Sequence, residues 1–129
     1  MARLLLDTHL LILASSSPEK LSDEAKIQLL RADNQLFFST VSIWEISIKS
    51  ALQKEGFKIN AKHLYRGLLR AGYQELCMSA EHALSTETLP LLHKDPFDRL
   101  LLAQATTEGM MLMTADTQLH AYGHPVMVV

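Results

Sequence analysis

A single cysteine, Cys77, stands among 129 residues. One thiol excludes an internal disulfide framework and any Cys-rich zinc site, so a reducing compartment is the simplest setting. A basic excess is also missing: 12 Lys and Arg face 14 Asp and Glu, a formal net charge of −2. Such a chain has no global positive field to draw in nucleic acid, and binding of that kind needs a local patch or a bound cation. Low-complexity tracts, internal repeats and linker-like stretches are lacking. The most apolar stretch, residues 1–14, is broken at its centre by Asp7 and His9 and has only Arg3 as a basic flank. It reads neither as a secretory leader nor as a membrane span. The expectation is a complete cytoplasmic protein of one domain, residues 1–129.

The chain instead alternates short apolar runs with longer helical patterns. Leu4-Leu5-Leu6 is a buried strand ended by Asp7; Thr8 opens a helix to about Ala14, and Ser15 to Pro18 break it. Ser22-Asp23-Glu24 starts a helix, with a capping hydroxyl and two acids in the first turn. Leu36 to Thr40 is the second strand. Ser42 begins a helix closed by Gly56, whose Ile43, Trp44, Ile46, Ile48 and Leu52 make a wide apolar face expected to be core. Asn60 caps a helix reaching Ala71, and Glu75 to Met78, with Cys77, is the third strand. Ser79 caps a shorter helix bounded by Pro90. Asp95-Pro96 opens the strongest helix signal, ended by Gly109. Met110 to Met113 is a strand, with the Met cluster as core filling; Ala115 to Tyr122 is a short helix and Val126 to Val129 a last strand. Strands alternating with helices imply a three-layer α/β/α sandwich around a mainly parallel sheet, with ligands at the C-terminal edge of the strands.

Four acids fall on strand-to-helix junctions: Asp7, Glu45, Asp98 and Asp116. Each has an ordinary explanation except the first. Glu45 completes a Ser42-x-x-Glu45 capping box, Asp98 suits the helix dipole, and Asp116 can cap a short helix. Asp7 lies between Leu-Leu-Leu and Leu-Leu-Ile-Leu, where burial is expected and an unpaired carboxylate is costly. Two carboxylates about 5 Å apart repel by about 3 kcal/mol at an effective dielectric of 20. A fold gains nothing by gathering four unless a hard cation such as Mg²⁺ or Mn²⁺ binds among them. His9, His63, His82, His93, His120 and His124 are scattered and show no paired-ligand spacing, so they offer no competing site.

At these residues the sequence resembles PIN-domain proteins, in particular VapC-type toxin ribonucleases of toxin–antitoxin pairs. The matching stretches are Leu5-Leu6-Asp7-Thr8-His9, Ser42-Ile43-Trp44-Glu45-Ile46, the run from His93 through Asp95-Pro96-Phe97-Asp98-Arg99 to Ala105, and Met113-Thr114-Ala115-Asp116. The resemblance implies a metal-dependent ribonuclease whose acidic quartet is Asp7, Glu45, Asp98 and Asp116, holding Mg²⁺ or Mn²⁺. Thr8 and Thr114 would line the site. It also implies an RNA substrate, a cognate antitoxin seated on surplus apolar surface, and a homodimer. Phosphodiester hydrolysis by cation-activated water would leave 5′-phosphate and 3′-hydroxyl ends. Asp95 near Asp98 is better explained as a cap. Arg99 either pairs with a site carboxylate or serves the surface. Lys62 and Arg66, with Arg70, lie on one helix face, either a solvated face or a phosphate-contacting ridge.

Two other sandwich enzymes are disfavoured. A receiver domain wants adjacent acids after its first strand, and a haloacid-dehalogenase-like phosphatase wants Asp-x-Asp, but the chain has Asp7-Thr8-His9. A catalytically silent PIN scaffold that binds RNA or protein is the serious alternative, and its usual mark would be loss of an acid.

Overall fold

The computed structural model describes residues 2–52 and 58–129. Five strands, β1 (Arg3–Leu6), β2 (Gln35–Ser39), β3 (Gln74–Leu76), β4 (Met111–Thr114) and β5 (Val126–Val128), form one sheet in the order β3-β2-β1-β4-β5. Every pairing is parallel, and β1 lies at the centre, with Leu5 opposite Phe37 on one side and Leu112 on the other. The helices are α1 (Thr8–Ser16), α2 (Asp23–Leu30), α3 (Thr40–Ala51), α4 (Ala61–Arg70), α5 (Ala80–Ser85) and α6 (Pro96–Glu108).

The period of two along each strand builds the three layers. Leu4, Leu6, Phe38 and Met113 face a layer formed by Leu10 and Leu11 of α1, Ala25 of α2, Ile46 of α3 and Leu64 and Leu68 of α4. Leu5, Phe37 and Leu112 face the opposite way, onto Leu101, Leu102 and Ala105 of α6 and onto Leu119. Strands buried on both faces read as unbroken apolar runs, which is why Leu4-Leu5-Leu6 shows no alternation. Each fully buried leucine contributes about 1.5–3 kcal/mol. The chain runs from β1 through β2 to β3 at one edge, then crosses back to β4 and β5 on the other side of β1. The strand order thus reverses between β1 and β4, where such folds place a ligand crevice at the C-terminal ends of the strands.

Several elements differ from the sequence reading. α3 starts at Thr40, capped by Ser39 rather than Ser42, because the Ser39 hydroxyl accepts the Val41 amide while donating to Gln104 on α6. The third strand ends at Leu76, so Cys77 lies beyond it and is exposed. Residues Thr117–Tyr122 form a 3₁₀ rather than an α-helix. The expected stop at Gly56 lies outside the described residues. Trp44 and Leu52 are not core: they are 56% and 64% exposed, because the stripe of α3 that is buried is Val41, Ser42, Glu45 and Ile46, and neither residue lies on it. Trp44 instead packs edge-on against Phe97, with ring centroids 5.3 Å apart.

His82, buried on α5, stands where a capping box usually has Glu or Gln. Its Nδ1 accepts the Ser79 amide at 3.0 Å, so Nε2 carries the proton and donates to Glu108 at 2.9 Å. This pairing fastens α5 to α6.

Candidate active site

Asp7 ends β1 and caps α1. Its amide donates to the Met113 carbonyl, which continues the β1–β4 ladder one residue past the strand. One carboxylate oxygen accepts the Leu10 amide at 2.8 Å and the other accepts the Thr114 hydroxyl. That hydroxyl in turn accepts the Asp116 amide at 3.0 Å, while the Asp116 carboxylate caps the following 3₁₀ turn at Gln118. Burial pushes the Asp7 carboxyl up from its ordinary range; its two hydrogen bonds oppose this, and the nearby Glu45 charge adds to it. His9 is exposed, and its charge acts on Asp7 in the lowering direction.

Thr8 and Ser42 join α1 to α3 through a buried hydroxyl pair 2.9 Å apart. Glu45 is the sixth residue of α3, not the third after a cap, so the capping-box account of this acid does not hold. One of its oxygens meets Lys49 at 2.8 Å, one helical turn on. The other, Oε1, is buried and has no hydrogen-bond partner, and it is the only side-chain polar atom in that condition among the described residues. Leaving a buried carboxylate oxygen unmet costs more than a surface ion pair recovers.

Asp98 lies in the first turn of α6, which Asp95 caps by accepting the Phe97 and Asp98 amides, as the sequence suggested. Burial, together with the charges of Asp95 and Asp7, pushes the Asp98 carboxyl up to about 6, against the lowering effect of a hydrogen bond from His93. That bond, between His93 Nε2 and Asp98 Oδ2, is 2.8 Å long. His93, Asp98 and Asp116 each offer a ligand atom, and the three atoms all lie within 4.8 Å of one another. The sequence reading set His93 aside with the scattered histidines, and the structure brings it to the acids. The available signal was its position five residues before Asp98, within the Asp-Pro stretch.

Asp98 and Asp116 come together with His93, and Asp7 is near enough to feel the charges of Glu45 and Asp98. Asp7 and Glu45 repel, Asp7 and Asp98 repel, and Thr114 links Asp7 to Asp116. The basic residues do not join them. Among the described residues the Arg99 guanidinium pairs with no carboxylate; it donates to the carbonyls of Thr86 and Pro90, 2.9 Å each, and bridges to the Tyr122 hydroxyl. Lys62 and Arg66 stand exposed on α4 and make no ion pair among the described residues.

The donor set is carboxylate oxygens, a threonine hydroxyl and one imidazole, with no thiolate. Each Asp7 oxygen retains a free lone pair after its hydrogen bond. With the unmet Glu45 oxygen, the set fits a hard divalent cation.

The raised Asp98 value has a pH consequence in ion-free protein. Between pH 3.8 and about 6 the unfolded chain has released this proton and the folded chain still holds it. The folded state then binds more protons, so the Asp98 contribution to stability falls as pH rises through that window and levels off above it. Urea unfolding of Asp98→Asn in EDTA should show a gain over the parent that grows from pH 4 to 6 and then stays constant. A gain independent of pH would mean that Asp98 titrates normally.

The PIN domain family model matches residues 4–125. Comparison with curated proteins gives no significant match. Among solved structures the chain is similar to VapBC2 from Rickettsia felis bound to a promoter DNA fragment, with TM-score 0.70 and 16% identity over 98% of this chain and 97% of that one. DNA-bound VapBC from Salmonella typhimurium gives 0.66 and 14%, covering 100% and 98%. A toxin–antitoxin complex from Klebsiella pneumoniae gives 0.65 and 22%, covering 99% and 97%. With a family match running from β1 to the entry of β5, and a parallel sheet in the same fold as these structures, the chain belongs to the PIN domain family.

Proposed function

We propose that this PIN domain is the toxin of a VapC-type toxin–antitoxin pair, a Mg²⁺- or Mn²⁺-dependent endoribonuclease. The observation that carries the reading is the buried, unmet Glu45 oxygen among carboxylates that repel one another. Asp7, Glu45, Asp98 and Asp116 would hold the cation. Bound there, it supplies Lewis acidity, acidifying water and neutralising phosphate charge. The protein's own part is to fix the carboxylates: the Leu10 amide and Thr114 hydroxyl orient Asp7, Lys49 orients Glu45, and the dry crevice strengthens each interaction. Hydrolysis would leave 5′-phosphate and 3′-hydroxyl ends.

The likeness to a toxin–antitoxin complex from Klebsiella pneumoniae and to two VapBC structures supports an antitoxin partner. An open cleft of about 240 Å³ between the end of α1 and α4, lined by residues such as Leu64, Leu68 and Tyr73, offers it an apolar seat. Exposed Trp44 and Leu52 leave surface for a second copy of the chain. Gel filtration of the chain alone should give a dimer; a monomer at all concentrations would argue against this.

The direct test is cleavage of total RNA by antitoxin-free protein, with Mg²⁺ or Mn²⁺ and with EDTA. Cutting should require the metal, and Lys62→Glu with Arg66→Glu should weaken it if α4 contacts phosphate. Products ending in 2′,3′-cyclic phosphate would refute the hydrolytic route. No cutting together with no metal binding would favour the silent scaffold. Among the described residues no helix is long and apolar enough to cross a membrane.

A further inference from the structure

We propose that His93 is a positioning residue of the acidic site. It holds the Asp98 carboxylate in the orientation that receives the cation, and is itself held by a clamp made of Arg99 and Tyr122. The inference rests on the metal-dependent reading above and deepens it.

His93 lies outside α6, so helix geometry does not set its place. Two hydrogen bonds do. Its amide donates to the Tyr122 hydroxyl at 3.1 Å, and its ring meets Asp98 at 2.8 Å. The Tyr122 hydroxyl is a node: it donates to the Pro90 carbonyl at 2.9 Å and accepts from both His93 and Arg99. Arg99 ties the same segment down again at Thr86 and Pro90. The stretch leading to His93 is thus fixed from two sides, although it contains no regular element after Thr88.

The reason for such fixing lies at Asp98. Its side chain is 21% exposed, more than Glu45, and its carboxylate would otherwise turn freely at the mouth of the crevice. Among the described residues the hydrogen bond of the His93 ring goes to Asp98. A hydrogen bond to a ligating carboxylate fixes its orientation, and losing such a partner typically weakens metal binding about 10–100-fold.

The test is Mn²⁺ titration of the full chain, following free Mn²⁺ by electron paramagnetic resonance, for the parent, His93→Leu, His93→Gln and Tyr122→Phe. Thermal unfolding in EDTA establishes that each is folded. His93→Leu should bind about 10–100-fold more weakly. His93→Gln, whose amide N–H replaces the Nε2 donor, should recover most of the loss, and Tyr122→Phe should fall between. Should His93→Leu not fold, the glutamine and Tyr122 variants carry the comparison. Unchanged affinity in His93→Leu overturns the proposal. Failure of His93→Gln to recover also overturns it, because the imidazole nitrogen itself would then be the ligand. A parent chain that binds no Mn²⁺ removes the metal-dependent reading and this proposal together, whereas a binding parent with unaffected variants removes this proposal alone.

Discussion

Asp7→Asn should cleave RNA at least about 10²–10³-fold more slowly than the parent, and in EDTA it should unfold at the same temperature or higher. The two halves follow from one geometry. Asparagine keeps an oxygen for the Leu10 amide, so the cap of α1 survives. It removes a buried charge that faces Glu45 and Asp98, which relieves repulsion in the ion-free fold. It also removes the negative charge that would hold a cation at the centre of the sheet edge. A lost activity accompanied by a markedly lower melting temperature would instead assign Asp7 a mainly structural role. The measurement is a pair: cleavage rate with Mn²⁺, and calorimetry without it.

Arg99→Leu should cost about 2–3 kcal/mol of stability, lowering the melting temperature by about 6–15 °C. The guanidinium satisfies carbonyls of Thr86 and Pro90 and meets the Tyr122 hydroxyl, and hydrogen bonds to a charged donor are worth more than neutral ones. Leucine leaves those acceptors to find water and frees the segment before α6. Arg99→Lys should recover only part, since a single ammonium cannot span the same fork of acceptors. Urea unfolding decides the matter. Full stability with lost cleavage would move Arg99 from the clamp to the substrate.

Much of the architecture was legible because local signals agreed. Strands β1, β2 and β4 end where apolar residues give way to Asp, Ser or Thr, and the caps at Ser22, Asn60, Ser79 and Asp95 all hold in the structure. That the strand-to-helix junctions bearing Asp7, Glu45, Asp98 and Asp116 lie on one sheet edge was legible from topology, since the strands are parallel. What escaped the sequence depends on partners far along the chain. Ser39 takes the cap of α3 from Ser42 because the side-chain oxygen of Gln104, 65 residues away, accepts the hydrogen bond from its hydroxyl. Arg99 follows carbonyl oxygens, which every residue carries and no sequence displays. His93 gains its meaning from Tyr122, 29 residues on, which fixes its amide. Trp44 was read as core because the buried stripe of α3 carries the polar Ser42 and Glu45, so apolar residues alone do not mark it.

The hydrogen bond between Asp7 and Thr114 joins positions 107 residues apart. On a ribosome, at about 5–20 residues per second, Asp7, Glu45 and Asp98 emerge before the strand that bears Thr114 has been made. Until then β1 has an open edge where β4 belongs, and Asp7 lacks the hydroxyl that orients it. No nascent or prematurely terminated chain that stops short of Met111 can assemble the crevice. The proposed active site would thus be completed by β4, made more than one hundred residues after the acid it orients.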